Sequence, residues 1–233
     1  MTVKSYWLDE LQHAGPEHLD PDYVSGYDTK AGVDPAEDLS ILLRFGMTAE
    51  STVVDIGAGT GTFVFAVAPL VSRVIAIDVS PAMNNHLRSE VAARELTNVE
   101  VVDGGFLSYE HTGAPADVVY SRNALHHLPD FWKAIALDRV AAFMAPGGVM
   151  QLRDLVFDFP PQEAGQRLDE WMSGAVADPR VGWTADELAE HVRCEHSTYS
   201  WLLEPMLEHC GFDIVERSFV RGAYAAYTCR RQP

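Results

Sequence analysis

Residues 53–61 read VVDIGAGTG, and this stretch is the strongest evidence about the fold. Its first four residues are apolar apart from Asp55, which is typical of a parallel strand with both faces buried. The glycines that follow let the backbone turn sharply and approach a ligand closely, because glycine has no Cβ. A helix beginning near Thr60 would direct unpaired N–H groups toward that ligand. The stretch therefore predicts the strand, turn and helix of a nucleotide-binding α/β fold.

A second apolar run supports a ligand at this turn. Residues 74–77 read VIAI and are followed by Asp78, twenty-one positions after Gly57. An acidic residue at the carboxyl end of the second strand can accept hydrogen bonds from a ribose diol. A glycine turn without a ligand is the alternative, and the position of Asp78 favours the ligand.

The spacing of the glycines separates two classes of ligand. The dinucleotide fingerprint has two residues before its third glycine, whereas Gly57, Gly59 and Gly61 stand one residue apart. Asp55 precedes the first glycine by two positions, and a carboxylate suits a cationic ligand group better than a pyrophosphate. With this pattern the chain resembles the class I S-adenosylmethionine-dependent methyltransferases, whose first motif has the form acid-x-Gly-x-Gly-x-Gly.

Four later stretches extend the resemblance over roughly residues 50–155. They are DVSPAM at 78–83, VEVVDGGF at 99–106, DVVYSRNALHHLPD at 117–130 and MAPGGV at 144–149. Residues 117–130 resemble the small-molecule branch that includes the ubiquinone and menaquinone C-methyltransferases. The resemblance implies S-adenosylmethionine as the cofactor and methyl transfer to an oxygen, nitrogen or carbon atom of a small-molecule acceptor.

The same resemblance implies roles for individual residues. Asp78 would bind both ribose hydroxyls, Met83 would pack on the adenine, and residues 103–104 would read the adenine edge. The carbonyl of Ser121 or Arg122 would face the methionine ammonium. The predicted cofactor-binding residues are Tyr27, Asp55, Gly57, Ala58, Gly59, Asp78, Val79, Met83, Asp103, Gly104, Phe106, Ser121 and Arg122.

Composition limits the class of partner. The chain has 233 residues, the size of one α/β domain, and 34 Asp and Glu against 17 Lys and Arg give a net charge of −17. Such a surface repels phosphate backbones and anionic lipids, so we expect neither nucleic acid nor a membrane as partner. We expect a small-molecule acceptor and a monomer or homodimer. Three scattered cysteines, and no apolar run of signal-peptide or membrane-spanning length, predict reduced thiols and a cytoplasmic location.

Strands and helices alternate as expected of a Rossmann-like α/β three-layer sandwich. A terminal hairpin over 212–229 resembles the pair that ends the methyltransferase sheet, which predicts seven strands, mostly parallel with one antiparallel. The other strands are predicted near 52–56, 73–77, 98–102, 116–120 and 148–156, and helices near 35–46, 61–71, 81–94 and 130–144.

Two segments stand outside this alternation. We interpret the whole chain, 1–233, as one methyltransferase domain in which residues 1–48 form an N-terminal helical cap and residues 157–199 a lid insertion. Tyr27 and Asp28 resemble a pair that closes over the cofactor in this family, and a surface turn is the alternative. Thr184 begins a capping box within the insertion. The aromatic residues there either form the wall of the acceptor pocket or pack the insertion onto the core.

Methyl transfer needs little chemistry from the protein, because the sulfonium is an activated leaving group. The enzyme has to hold a nucleophile in line with the methyl and exclude water. Candidates for a base are His126, His127 and Asp154, since both of their strands end at the ligand crevice. A structural role is the alternative for each, and Arg153 is a possible ion partner of Asp154.

Two further hypotheses concern metal binding and other functions. Residues 191–196 read HVRCEH, which contains metal-ligand types, but the spacing matches no zinc pattern and we predict no metal site from it. An S-adenosylmethionine-binding protein of this fold with another activity is the alternative function. An NAD-dependent oxidoreductase is disfavoured by the glycine spacing.

Overall fold

The computed structural model of the protein describes residues 5–233, which fold around one central sheet. The strand order is β3-β2-β1-β4-β5-β8-β7, with the short strand β6 paired to β5. All neighbours are parallel except β8, which is antiparallel to both β5 and β7. The strands are β1 Thr52–Ile56, β2 Arg73–Asp78, β3 Val99–Asp103, β4 Ala116–Arg122, β5 Met144–Phe157, β6 Thr198–Tyr199, β7 Phe212–Val220 and β8 Tyr224–Arg231.

Eight α-helices connect or precede these strands in the described part of the chain. They are α1 Pro21–Ala31, α2 Ala36–Arg44, α3 Thr62–Val67, α4 Pro81–Ala93, α5 Asp130–Phe143, α6 Ala164–Met172, α7 Ala185–Cys194 and α8 Ser200–His209. Short 3-10 turns cover Glu10–His13, Pro16–Leu19, Ala68–Leu70, Leu125–His127 and Pro161–Glu163. No helix within residues 5–233 is both long and apolar enough to cross a membrane.

The central strands are apolar because both of their faces are covered. On β1, Val54 and Ile56 pack into one core cluster with residues of α5 and α8. Val53 points the other way and packs with residues of α2, α3 and α4. Alternate residues of a strand face opposite sides, so a buried parallel strand needs apolar residues on both. The result is the predicted three-layer sandwich, and the fold class is confirmed.

Local elements follow the sequence with modest differences. The helix predicted over 61–71 ends as α3 at Val67 and continues as a 3-10 turn, and β5 begins at Met144 rather than near 148. Thr184 forms the predicted capping box with Glu187 at the start of α7. Helix α6 and strand β6 were not predicted. Pairing of β6 with the end of β5 depends on contacts between distant residues, which local sequence does not encode.

The segment before α2 lies along the carboxyl edge of the parallel strands. Its 3-10 turns are tied to the sheet loops by hydrogen bonds: Ser80 Oγ donates to the His18 carbonyl over 2.6 Å, and Ser108 Oγ donates to Glu10 over 2.8 Å. Further along, Asp28 accepts hydrogen bonds from Thr60 and Thr62 beside the glycine turn. Residues 1–4 of the predicted cap lie outside the described residues.

Arg153, a possible ion partner of Asp154 from the sequence, does not pair with it. Neighbouring residues of a strand point to opposite faces of the sheet, so their side chains cannot meet. Arg153 instead pairs with Asp38 and Glu37 of α2, where the buried Asp38 carboxylate also accepts a hydrogen bond from Tyr120 over 2.9 Å. Asp154 faces the other side, toward His126.

Candidate active site

A cavity opens at the carboxyl ends of β1, β2 and β4, and we name it the first cavity. The glycine turn after β1 forms its floor. Gly57 has φ +81°, and a Cβ added there would lie 2.4 Å from the Cβ of Ala124. Only glycine therefore lets the turn pass beneath the loop that follows β4. Gly59 has φ +54° and faces open space within the same cavity.

Asp78 faces the first cavity from the end of β2. Its carboxylate accepts hydrogen bonds from the N–H groups of Gly59, over 2.9 Å, and Ser80, over 2.8 Å. Burial raises the pKa of Asp78, and these two hydrogen bonds offset part of that shift. A carboxylate has about four acceptor sites, so two remain for the hydroxyls of a ligand.

Asp55 lies directly behind the glycine turn and is only 2 % exposed. Burial, and then the nearby carboxylate of Asp78, raise the pKa of Asp55 well above its ordinary value. Its Oδ1 atom has no hydrogen-bond partner among the residues that the structure describes. Two neighbouring acids at this edge favour a cationic group in the adjoining cavity.

A second cavity, of about 250 Å³, adjoins the first. The two share the wall formed by His18, Tyr27, Asn123 and His127. The rest of the lining of the second cavity comes mainly from β5, α6, α7 and β8 and carries three aromatic side chains and several acids. The lining residues are Trp171, Trp183, Tyr224, Glu187, Glu190 and Glu195, together with His126, His191 and two leucines.

His126 forms a buried pair with Asp154 at the boundary of the second cavity. Its Nδ1 contacts Asp154 Oδ1, and its backbone N–H donates to Asp154 Oδ2 over 3.0 Å. Its Nε2 lies 3.0 Å from Glu195. Burial alone would lower the pKa of His126, but Asp154 and Glu195 raise it to about 9. The ring is therefore protonated at neutral pH when only these protein groups surround it.

His127, by contrast, is held neutral. Burial and then the positive charge of His126 keep the pKa of His127 well below its ordinary value. Its Nδ1 atom is buried and has no hydrogen-bond partner in the described part of the chain. His127 is thus a neutral imidazole in the wall that the two cavities share.

The structure gathers most of the predicted site residues at these cavities. Those that line the first cavity are Tyr27, Gly57, Gly59, Asp78, Val79, Met83, Gly104, Phe106 and Arg122, and His127 lines both cavities. His126 lines the second cavity, and Asp154 stands behind it. Their contacts with a ligand stay predictions.

Four predicted cofactor residues do not line the first cavity. Ser121 donates its hydroxyl to the Ile56 carbonyl over 2.7 Å, inside the sheet. The side chain of Asp103 is 68 % exposed and pairs with Arg88 over 2.9 Å. Asp55 lies behind the turn, and Ala58 packs against the core.

Some residues that line the cavities were not predicted from the sequence because they come from distant segments. Glu10 and His18 reach the first cavity from the N-terminal segment, and Glu195 reaches the second from the turn after α7. Glu10 is buried, which raises its pKa although Leu107 and Ser108 N–H groups oppose the shift. No motif marks these residues. The sequence alone does not distinguish Glu10 from an ordinary surface acid, because its burial is visible only in the structure.

Comparison with known proteins agrees with this geometry. Residues 53–148 match the model of a methyltransferase domain family. The chain is 27% identical over 218 residues to an arsenite methyltransferase of Halobacterium salinarum, covering 89% of this chain and 49% of that protein. The chain spans about half the length of the first curated relatives that it matches.

Solved structures share the fold. The YcgJ protein of Bacillus subtilis superposes with a TM-score of 0.65 at 16% identity, covering 86% of this chain and all of that chain. Magnesium protoporphyrin IX methyltransferase of Synechocystis, solved with bound S-adenosylmethionine, has a TM-score of 0.66 at 12% identity and covers 98% of this chain.

The fold is the Rossmann-like one that solved S-adenosylmethionine-dependent methyltransferases share. Residues 53–148 match the model of a methyltransferase domain family, and this match supports S-adenosylmethionine as the cofactor.

Proposed function

We propose that the chain transfers a methyl group from S-adenosylmethionine, bound in the first cavity, to a small-molecule acceptor bound in the second. The observation that carries this proposal is the wall that the two cavities share. A sulfonium placed at that wall would present its methyl to the second cavity. Holding an acceptor in line with it, without water, is most of the catalysis that the reaction requires.

The size and walls of the second cavity support a small acceptor. Its volume, about 250 Å³, lies just below the range of sites for drug-sized molecules. We propose that residues 5–48 act as the cap and residues 157–199 as the lid that close it. Lys30 of α1 donates to Glu187 of α7 over 2.5 Å, which ties the two segments together across the cavity. The resemblance of residues 117–130 to quinone C-methyltransferases also favours a small acceptor.

Geometry suggests separate roles for the three predicted catalytic residues. His127 would touch the acceptor, because it lies in the shared wall. His126 and Asp154 would position the loop after β4, since Asp154 accepts hydrogen bonds from both the backbone and the ring of His126. These two would act as positioning residues.

Among the residues that the structure describes, none gives the second cavity the thiol ligands that an arsenite-like acceptor would need. Trivalent arsenic prefers soft thiolate ligands. Cys229 is buried in the core, Cys210 donates to the Ala134 carbonyl, and Cys194 is exposed. None of the three lines the second cavity. We propose an acceptor bound through imidazole, carboxylate and aromatic groups instead.

Calorimetry and product analysis test the proposal. We expect S-adenosylmethionine and S-adenosylhomocysteine to bind one per chain, and S-adenosylhomocysteine to form when an acceptor library of phenols, amines and hydroxy acids is added. Failure of both ligands to bind would contradict the proposal. Binding without product for any acceptor would favour an S-adenosylmethionine-binding protein with another activity, and binding of NADH alone would favour an oxidoreductase.

A further inference from the structure

Two imidazoles and a carboxylate converge at the side of the second cavity that borders the first. Candidate ligand atoms of His126, His127 and Glu195 all lie within 4.8 Å of one another. The ring centroids of the two histidines are 4.3 Å apart, and His126 Nε2 is 3.0 Å from Glu195 Oε2. Nitrogen and oxygen atoms bound to one ion, at about 2.1 Å each, are at most about 4.2 Å apart. Small side-chain rotations therefore bring all three onto one ion.

The residues around this cluster hold two of its members in orientation. Asp154 accepts from Nδ1 of His126, so that Nε2 points toward Glu195. His191, one helical turn before Glu195, contacts the same carboxylate, and its own Nε2 lies 2.7 Å from Ser197 Oγ. Histidines that bind metals usually have their other ring nitrogen fixed in this way.

Buried atoms in the cluster lack ordinary partners. His127 Nδ1 is buried without a hydrogen bond, and Glu195 Oε2 makes none of normal geometry with the rings beside it. Such atoms are uncommon in folded proteins. His126 Nε2 and the Glu195 oxygen, 3.0 Å apart, need a positive charge between them: a proton on the ring in the metal-free chain, whose place a metal ion would take.

The polypeptide holds the three segments together by separate contacts. The His196 N–H donates to the His126 carbonyl over 2.9 Å. Lys133 is 2 % exposed and donates to the His196 carbonyl and to Asp130, while Asp130 accepts from Thr198 over 3.1 Å. The turn after α7 is therefore fixed against the loop after β4 without using the ligand atoms themselves.

We propose that His126 Nε2, His127 Nδ1 and Glu195 bind a divalent transition-metal ion at the edge of the second cavity. Two imidazoles and one carboxylate suit Zn²⁺, Fe²⁺, Co²⁺ or Ni²⁺. Three protein ligands leave coordination positions open, and these face the cavity. His191 acts as a positioning residue that orients Glu195.

A metal here narrows the acceptor class, and this consequence rests on the proposed function. An open position would bind a hydroxyl oxygen of the acceptor and ease loss of its proton to the solvent before the cavity closes. That oxygen would then form the bond to the methyl carbon, while the electrons of the broken carbon–sulfur bond stay on sulfur. Because Trp171, Trp183 and Tyr224 line the same cavity, a planar acceptor with two adjacent oxygens would suit this site.

Cobalt binding tests the site directly. The full chain is freed of metal with a chelator and titrated with Co²⁺, followed by visible d–d absorption, and with Zn²⁺ by calorimetry. We expect one ion per chain, and loss of affinity by at least roughly 100-fold in Glu195→Gln, since even changes to supporting residues cost 10–100-fold. Cys194→Ser is the matched control, because it removes the neighbouring exposed thiol and should leave binding unchanged.

Folding and cofactor binding are measured on the same samples. Should Glu195→Gln not fold, His127→Asn carries the test, with the same loss expected. The proposal is overturned if Co²⁺ does not bind, if it binds Glu195→Gln as tightly as the unaltered chain, or if Cys194→Ser abolishes it. Failure of the proposed function is distinct: S-adenosylmethionine would then not bind, whatever the result with cobalt.

Methylation of catechol distinguishes two roles for His127: a metal ligand, or a metal-free imidazole that contacts the acceptor. If the metal is bound, adding catechol to the Co²⁺ form should change the d–d spectrum, and chelator should stop its methylation. If methylation continues unchanged after metal removal, His127 acts as an imidazole without a metal and the metal proposal is wrong.

Discussion

The first and second cavities are built in different ways. The first is lined mainly by residues at the ends of consecutive strands, such as Gly57, Asp78 and Gly104, each inside a short motif. The second combines residues from as far apart as His18 and Tyr224. The first takes its shape from backbone turns that glycine permits, and the second from the way helices pack against each other. Local sequence can thus specify the proposed cofactor cavity, whereas the proposed acceptor cavity depends on long-range packing.

The largest expected effect breaks the backbone turn of the first cavity. In Gly57→Ala, the new Cβ would lie 2.4 Å from the Cβ of Ala124, and the alanine would have to adopt the left-handed backbone conformation of Gly57. Overpacking and backbone strain together should cost about 3 kcal/mol, or roughly 100-fold in the Kd for S-adenosylmethionine measured by calorimetry. Gly147→Ala is the control: its φ is +77° but its Cβ meets nothing within 4 Å. Equal losses in both variants would refute a steric role for Gly57.

Next comes the buried pair that supports the second cavity. Asp154→Asn removes the charge that faces His126, which should lower the free energy of unfolding by about 3 kcal/mol. Denaturant titration measures this change. Glu163→Gln, in an exposed pair with Arg167, should change it by less than about 0.5 kcal/mol. A stability unchanged in Asp154→Asn would show that the pair contributes nothing net.

A third variant compares the contributions of Asp78 and Asp103 to cofactor binding, since both are predicted from the sequence to contact the cofactor. Asp78 faces the first cavity, whereas the side chain of Asp103 is largely exposed. Asp78→Asn should weaken S-adenosylmethionine about 30-fold, the cost of about 2 kcal/mol for hydrogen bonds to a charged group. Asp103→Asn should stay within about threefold. The reverse order of affinities would restore Asp103 as the principal contact.

The pH dependence of cofactor binding should report on Asp78. Burial raises its pKa, so the folded apoprotein holds this proton more tightly than the unfolded chain. The carboxyl therefore contributes stability at low pH that is lost as pH rises through its folded pKa. Ligand hydroxyls need the ionised form, so affinity should be constant above that pKa and fall up to about tenfold per pH unit below it. Calorimetry across this range should show that the affinity of Asp78→Asn for the cofactor changes less with pH. If it changes as much as in the unaltered chain, another group causes the pH dependence.

The smallest expected effect concerns closure of the second cavity. Lys30 is buried, pairs with Glu187 and lies 4.5 Å from the ring centroid of Trp183. Lys30→Met should weaken the attachment of α7 by about 1 kcal/mol, seen as roughly fivefold faster amide exchange there. Arg44→Met, in an exposed pair with Glu216, should leave α7 unaffected. Unchanged exchange in Lys30→Met would mean that apolar packing alone holds the helix.

Much of the first cavity could be predicted from the sequence. The glycines at 57 and 59, the acid at 78 and Met83 all lie in its wall, because each stands at a fixed offset from a strand end. Ser121 and Asp103 also stand at such offsets but do not line the cavity. Their side-chain directions depend on the partners that the tertiary structure supplies, Ile56 for one and Arg88 for the other.

Local sequence was enough to predict the α/β alternation, the glycine turn and the cofactor class, since strand burial and glycine backbone freedom are properties of a few neighbouring residues. The residues that share the second cavity became visible only once the chain was folded. His126, Asp154 and Glu195 meet there because β4, β5 and the turn after α7 are brought together by packing and by hydrogen bonds such as that from His196 to the His126 carbonyl. No spacing along the chain encodes contacts between segments so far apart.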